Sequence, residues 1–121
     1  RDDILCFVLI MRIIVQFEMQ KQDLLEYTVR SAYRFLYKRE RLYKFENIIL
    51  HFIRKKTPHI DSQKKLVKAF EELHQELIPL TKNQFEKNAF AYFDIISWLE
   101  SKIQNKSFKE IVQQKALINL K

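Results

Sequence analysis

The sequence predicts an all-α fold, and three observations lead to this prediction. The 121 residues contain no glycine and only two prolines, and apolar residues recur with the three- and four-residue spacing of a helix face through most of the chain. Glycine supplies the positive φ angles of tight hairpin turns and of loops that bind phosphate groups. Its absence argues against a β-hairpin fold and excludes the glycine-rich nucleotide-binding motifs.

Apolar spacing and helix-end signals divide the chain into about six helices. Asp2 and Asp3 suit the positive N-terminal end of the first helix. The third helix ends in basic residues before Pro58, because a residue that precedes proline disfavours the helical conformation. The predicted helices cover residues 3–19, 23–38, 41–56, 61–77, 83–103 and 107 onwards.

The last three helices have recognisable ends. Asp61 or Ser62 is a good N-cap for the fourth helix, and Pro79 closes it. The sixth helix opens with Ser107 and Glu110 at the spacing of a capping box. These signals predict that polar connections separate the helices.

The fifth helix is predicted to be continuous. Its start signal is either the pair Thr81 and Gln84 or the pair Asn83 and Glu86. Asp94 interrupts its apolar residues, and we expect this carboxylate to be exposed or paired with a basic residue, because a buried unpaired carboxylate is costly. The alternative is a polar anchor in a groove.

Short connections of about three to six residues make neighbouring helices antiparallel. We therefore expect a single domain, residues 1–121, built as three stacked helical hairpins with a period of roughly 38 to 42 residues. This arrangement is typical of α-solenoids.

Four segments carry a family resemblance: LLEY at 24–27, RSAYRFL at 30–36, RLYKFE at 41–46 and AYFDIISWLESK at 91–102. They resemble the C-terminal part of uncharacterised bacterial proteins with tetratricopeptide-like helical repeats. The resemblance implies a scaffold domain that ends a longer repeat protein. Its implied partners are another protein or upstream repeats of the same chain, and it transfers no functional residues.

Positive charge is concentrated between residues 30 and 56. Nine basic and two acidic residues lie there, so this segment carries the whole net charge of +7. It predicts a surface for an acidic protein or for weak, non-specific nucleic-acid binding. The alternative is a solvent-exposed face without a binding role, or docking to acidic neighbours such as Glu71, Glu72 and Glu76. The candidate interaction residues are Arg30, Tyr33, Arg34, Tyr37, Lys38, Arg41 and Lys44.

The apolar residues of the first helix predict a second interaction surface. Its residues 4–11 form an unbroken apolar run that covers every side of a helix. One side packs on the second helix, and the other is left for a missing repeat or for a second copy in a homodimer. The apolar stretch at residues 4–17 is too short to span a bilayer. The candidate interface residues are Ile4, Phe7, Val8 and Met11.

The residues that support catalysis or metal binding are sparse. Glu71 and His74 have the spacing of half a di-iron site, but no second such pair exists, so we expect His74 to be an exposed helix residue. Cys6 is the only cysteine, which excludes an internal disulfide and indicates a buried thiol in a reducing cytoplasm. No serine or cysteine has the context of an activated nucleophile.

These observations predict a non-catalytic protein-interaction or scaffold domain without cofactor or metal. The alternative is a nucleic-acid-binding domain that uses the basic face at residues 30–56.

Overall fold

The computed structural model describes residues 2–37 and 43–119, which form seven α-helices. Helical conformations hold 85% of these residues and none lies in a β-strand, which confirms the all-α prediction. The α-helices are α1 (Asp2–Glu18), α2 (Gln22–Tyr37), α3 (Lys44–His51), α4 (Gln63–Leu77), α5 (Lys87–Tyr92), α6 (Ile95–Gln104) and α7 (Phe108–Asn119). Three shorter turns join them: a π turn at Phe52–Lys56 and 3-10 turns at Thr57–His59 and Ile78–Lys82.

One apolar core lies between α1, α2, α3, α4 and α6. Phe70 of α4 is at its centre, and its ring centroid lies 5.8 Å from that of Phe17, 5.6 Å from that of Trp98 and 5.7 Å from that of Phe52. Edge-to-face and offset aromatic pairs each stabilise a fold by about 1 kcal/mol beyond their burial. This cluster therefore ties α1, α4, α6 and the π turn together.

Several helix pairs that are neighbours in the sequence also pack against each other. Helix α1 packs against α2, α3 against α4, and α6 against α7. Helix α6 also packs against α4, and this contact links the pair α3–α4 to the pair α6–α7. No helix within the described residues is both long and apolar enough to cross a bilayer.

The prediction of one continuous helix at residues 83–103 is wrong. Phe93 is extended, with φ −154° and ψ 133°, and separates α5 from α6. Asp94 then caps α6, because its side chain accepts a hydrogen bond from the Ser97 backbone amide at 3.0 Å. This break is why the described residues contain one helix more than the sequence predicts.

Most other predicted helix ends are present. Ser62 Oγ accepts a hydrogen bond from the Lys65 amide at 3.2 Å and so caps α4. The Glu110 amide donates to Ser107 Oγ at 3.0 Å, and the Ser107 amide donates to Glu110 Oε1 at 3.1 Å. This reciprocal pair is the predicted capping box of α7. Its hydrogen bonds, first from the Ser107 amide, lower the pKa of Glu110.

The third helix is shorter than predicted. Helix α3 ends at His51, and residues 52–56 widen into the π turn before Pro58. Residues 41 and 42, where the prediction begins this helix, lie outside the described residues. His51 and His59 are both exposed.

Candidate functional site

The basic candidate residues that the structure describes, all from the segment at residues 30–56, lie on the surface. Arg30 and Arg34 are exposed on α2, and Lys44 is exposed at the start of α3. Lys38 and Arg41 lie outside the described residues, so the structure does not place them.

Tyr33 connects two parts of the basic segment. It is exposed on α2, and the guanidinium carbon of Arg54 lies 4.4 Å from its ring centroid. Tyr33, Arg54 and Lys55 line an open groove of about 410 Å³ together with the acidic Glu76 of α4. Arg54 therefore lies beside the basic face of α2. Tyr37 belongs to α2, but its side chain lies outside the described part of the chain.

Of the four predicted interface residues of α1, the structure describes the side chains of three. Val8 is exposed, Phe7 is partly buried and lines a cavity, and Met11 is partly buried against the core. The side chains of Ile4 and Cys6 lie outside the described part of the chain.

The most exposed apolar residues along α1 and just after its end overlap with the predicted set only at Val8. Leu5, Val8, Val15 and Met19 are 51%, 45%, 48% and 58% exposed, and the exposed Arg12 lies among them in the sequence. We call these five residues the α1 stripe. The sequence did not reveal which face is exposed, because its apolar run covers every side and only packing against α2 and α3 selects the buried one.

A cavity of about 280 Å³ lies between α1, the start of α3 and the segment that leads into α5. Several of the residues that line it are exposed, including Phe85 at 72%, so the cavity is open to solvent. Its walls are mainly apolar and aromatic, with two glutamates and one asparagine. The lining residues are Phe7, Ile10, Tyr43, Phe45, Glu46, Phe85, Glu86, Asn88, Ala89 and Ala91.

Glu86 is the most informative residue of this cavity. It is 6% exposed, and its carboxylate reaches the first turn of α3 from more than 40 residues away in the sequence. Glu86 Oε2 accepts from the Lys44 amide at 3.1 Å, and Oε1 accepts from the Phe45 amide at 2.9 Å. These amides have no partner within the helix, so Glu86 supplies a cap from outside it.

The segment that holds Glu86 is fixed by Asn83. Asn83 Oδ1 accepts from the Phe85 amide at 2.8 Å and from the Glu86 amide at 3.1 Å. Asn83 is thus the start signal of this segment, while Thr81 Oγ1 donates to the Ile78 carbonyl at 2.7 Å. In a capping box Glu86 would return a bond to Asn83, and instead it caps α3.

Glu46 completes the cap of α3. It is 5% exposed, and its Oε1 accepts from the Tyr43 amide at 3.3 Å. Two buried carboxylates therefore meet at the start of one helix, where the positive end of the helix dipole stabilises negative charge. The spacing of Tyr43 and Glu46 is visible in the sequence, whereas no local signal connects Glu86 with α3.

A second polar cluster lies between α4, α6 and α7. Lys115 Nζ donates to Ser97 Oγ at 2.9 Å and pairs with Glu100 Oε1 at 2.7 Å. Ser97 Oγ donates to Asp94 Oδ2 at 2.6 Å, and His74 Nε2 lies 2.8 Å from Glu100 Oε2. The prediction that His74 is an exposed helix residue is wrong, because it is partly buried against Glu100.

The hydrogen bonds and ion pairs of this cluster join α4, α6 and α7. Burial alone raises the pKa of Glu100, but hydrogen bonds from Lys115 and His74 outweigh it and lower the pKa from its ordinary 4.5. Within residues 2–37 and 43–119, no three His, Cys, Asp or Glu side chains gather as a potential metal site.

The cavity, the α1 stripe and the basic face are the features from which a function can be inferred. Comparisons with protein-family models, with curated proteins and with solved structures find no match to this chain.

Proposed function

We propose that this chain is a non-catalytic protein-interaction domain that binds an acidic amphipathic helix of a partner protein on the α1 stripe. The observation that supports this proposal is a row of four exposed apolar side chains, three on α1 and one at Met19, the residue after its end. Contiguous exposed apolar surface on a small protein commonly marks an interaction site.

The spacing of the stripe favours a helix as the partner. Residues 5, 8, 12, 15 and 19 are separated by three, four, three and four positions. This is the a and d spacing of a coiled-coil seam, in which side chains of one helix fill the gaps between those of another. With a rise of 1.5 Å per residue the stripe is about 21 Å long, enough to contact roughly four turns of a partner helix.

The opposite face of α1 holds the helix in place. Ile10, Ile13 and Ile14 are buried in the core, and α1 packs along α2. A partner would therefore meet a preformed surface, which lowers the entropic cost of association.

Arg12 determines the charge of the preferred partner. It occupies the middle position of the stripe and is exposed. A two-fold pairing of two copies centred on the stripe places Arg12 near its own copy, and like charges at an interface oppose association. A partner helix with a carboxylate at this position forms an ion pair instead. Charge complementarity therefore favours an acidic helix over a homodimer.

The proposal includes the stacked-hairpin arrangement of a tetratricopeptide-like scaffold. It is supported by three helix pairs that are in contact: α1 with α2, α3 with α4, and α6 with α7. Stacked pairs of this kind present helix faces to partners.

Two designed peptides test the proposal. Both are amphipathic helices about three heptads long with leucine at a and d, and they carry either glutamate or lysine at the flanking positions. We expect fluorescence anisotropy to show binding of the glutamate peptide at least tenfold tighter than that of the lysine peptide. Equal affinity for both peptides would contradict the charge argument.

A matched pair of variants locates the binding site. The double variant Val8→Asp with Val15→Asp places carboxylates on the stripe, and we expect it to weaken binding of the glutamate peptide at least tenfold. The control, Leu117→Asp with Ile118→Asp, changes two exposed apolar residues of α7 and is expected to bind normally. Unchanged binding by the Val8 and Val15 variant would refute the proposed site. A stable dimer, seen by light scattering and disrupted by the same variant, would assign the stripe to a second copy.

A second candidate function is the binding of a polyanion such as RNA by the basic face. The contact of Arg54 with Tyr33 supports it, because it brings a cation from the π turn beside Arg30 and Arg34 of α2. Such binding depends on phosphate contacts and falls steeply with salt concentration.

Charge reversal tests this candidate. Arg30→Glu with Arg34→Glu is compared with Lys64→Glu with Lys68→Glu, which makes the same charge change at the same spacing on the exposed face of α4. We expect only the α2 variant to lose binding to single-stranded RNA at moderate salt. An equal loss in both variants would indicate a response to net charge rather than a site.

A further inference from the structure

We propose that the cavity at the start of α3 binds a small organic ammonium ion that carries an aromatic or aliphatic tail. This inference is independent of the α1 stripe, because the two features share no residue.

The size of the cavity suits such a ligand. Its volume is about 280 Å³, and an apolar protein cavity of about 150 Å³ is large enough to bind benzene. The cavity therefore has room for a six-membered ring with a short substituent. Because Phe85, Asn88 and Ala91 are exposed, a ligand can enter without opening the core.

The walls provide two kinds of attraction for an organic cation. Phe7, Tyr43, Phe45 and Phe85 present aromatic rings, which pack against an apolar tail and attract a cation through their π faces. Ile10 adds a fully buried aliphatic wall. An apolar pocket with a few fixed polar groups is the usual construction of a small-molecule site.

Glu86 sets the charge of the ligand. Glu86 lines the cavity, and its carboxylate is held by the Lys44 and Phe45 amides, one on each oxygen. A carboxylate has about four acceptor sites, so each oxygen can accept a further bond from an ammonium group. The carboxylate is therefore already oriented and desolvated before the ligand arrives.

The remaining polar groups agree with a cation. Glu46 is a second carboxylate in the wall, and Asn88 adds an amide at the exposed side. An anion would meet the negative charge of Glu46 and Glu86. A calcium or magnesium ion fits less well, because it takes about six or more oxygen ligands and most of this wall is apolar.

Three ligands that share a benzyl group test the inference on the unmodified chain. Benzylammonium, benzyl alcohol and phenylacetate present a cation, a neutral group and an anion, and each is titrated while amide NMR signals are recorded. We expect benzylammonium to shift the Lys44 and Phe45 amides and to bind at least tenfold tighter than benzyl alcohol. Phenylacetate is expected to leave these amides unchanged. Equal affinity for benzylammonium and benzyl alcohol, or no binding of either, would overturn the inference.

A matched pair of variants tests the role of the carboxylate. Glu86→Gln keeps the shape and one amide acceptor but removes the charge, and we expect it to weaken benzylammonium binding at least tenfold while benzyl alcohol binds as before. Glu71→Gln removes a charge from the exposed face of α4 and is expected to change neither affinity. A folded Glu86→Gln protein with unchanged affinity for benzylammonium would refute the assignment. If this variant fails to fold, the ligand comparison on the unmodified chain still decides the question.

Discussion

The starts of α3 and α6 are capped in two different ways. Helix α6 is capped by Asp94, the residue immediately before it, whose carboxylate binds both the amide and the hydroxyl of Ser97. Helix α3 is capped by Glu86, which belongs to a distant segment of the chain. The first cap is a local feature of the sequence, whereas the second exists only once the chain has folded.

The surroundings of the two caps also differ. At α6, Ser97 is fully buried, and Lys115 of α7 donates to its hydroxyl and pairs with Glu100. At α3, the capping carboxylate lines an open cavity. A cap whose polar groups are all paired with other protein groups serves to stabilise its helix. A capping carboxylate that lies beside a cavity can in addition bind a ligand of opposite charge.

The largest expected effect is at the remote cap. Glu86→Ala leaves two amides of α3 without a partner and detaches the Asn83–Glu86 segment from the helix. We expect the free energy of unfolding to fall by about 2 to 4 kcal/mol, because unpaired buried donors and lost charge-assisted bonds each cost 1 to 3 kcal/mol. Urea unfolding followed by circular dichroism measures this loss. The control, Glu71→Ala, removes an exposed glutamate, and equal stability of the two variants would refute the role of the cap.

The local cap is expected to contribute less. Asp94→Ala removes the acceptor of the Ser97 amide, and we expect a loss of about 1 to 2 kcal/mol, the usual cost of deleting a helix N-cap. Asp94→Asn retains an acceptor and is expected to lose less than half of that. The fluorescence of Trp98, the single tryptophan, reports unfolding of both variants. A larger loss for Asp94→Ala than for Glu86→Ala would reverse the comparison.

The pH dependence of stability tests the cluster beside α6. The pKa of Glu100 is lowered in the folded protein, so the unfolded state binds a proton first as the pH falls. Its contribution to stability is therefore present above about pH 4.5 and is lost as the pH falls through the folded pKa. We expect Glu100→Gln to reduce the fall in the free energy of unfolding on acidification by less than about 1 kcal/mol. Identical slopes of the two proteins below pH 4.5 would contradict the proposed pairing.

The smallest expected effect on stability is at the opening of the cavity. Phe85 is mostly exposed, so Phe85→Ala is expected to change the free energy of unfolding by less than about 0.5 kcal/mol. The same variant removes one aromatic wall, and we expect benzylammonium to bind severalfold more weakly. Thermal unfolding and the NMR titration separate the two effects. Unchanged affinity for benzylammonium would exclude Phe85 from the binding site.

Local sequence signals predicted the helices better than their arrangement. The capping box of Ser107 and Glu110 and the N-cap Ser62 depend on contacts three residues apart, and both are present as predicted. The prediction was wrong at Asp94 because an aspartate can lie either on the exposed face in the middle of a helix or at the N-cap of a helix. Only the extended conformation of Phe93 distinguishes the two roles.

The predicted interface of α1 shows a similar limit. An apolar run on every side of a helix predicts that one side is buried and another exposed, without indicating which. Packing against α2 and α3 buried Ile10 and Ile13 and left Val8 and Val15 in solvent. Met11, a predicted interface residue, is partly buried and packs against the core.

The sequence by itself determined the all-α class, most helix ends and the concentration of positive charge at residues 30–56, because each of these depends on composition or on residues within one helical turn. Only the tertiary structure decided the outer face of α1, the cap that Glu86 places on α3 and the cavity beside it. The cap and the cavity depend on contacts between segments that are about 40 or more residues apart, and the outer face of α1 depends on its packing against α2 and α3. Such contacts form only when the apolar core brings the helices together.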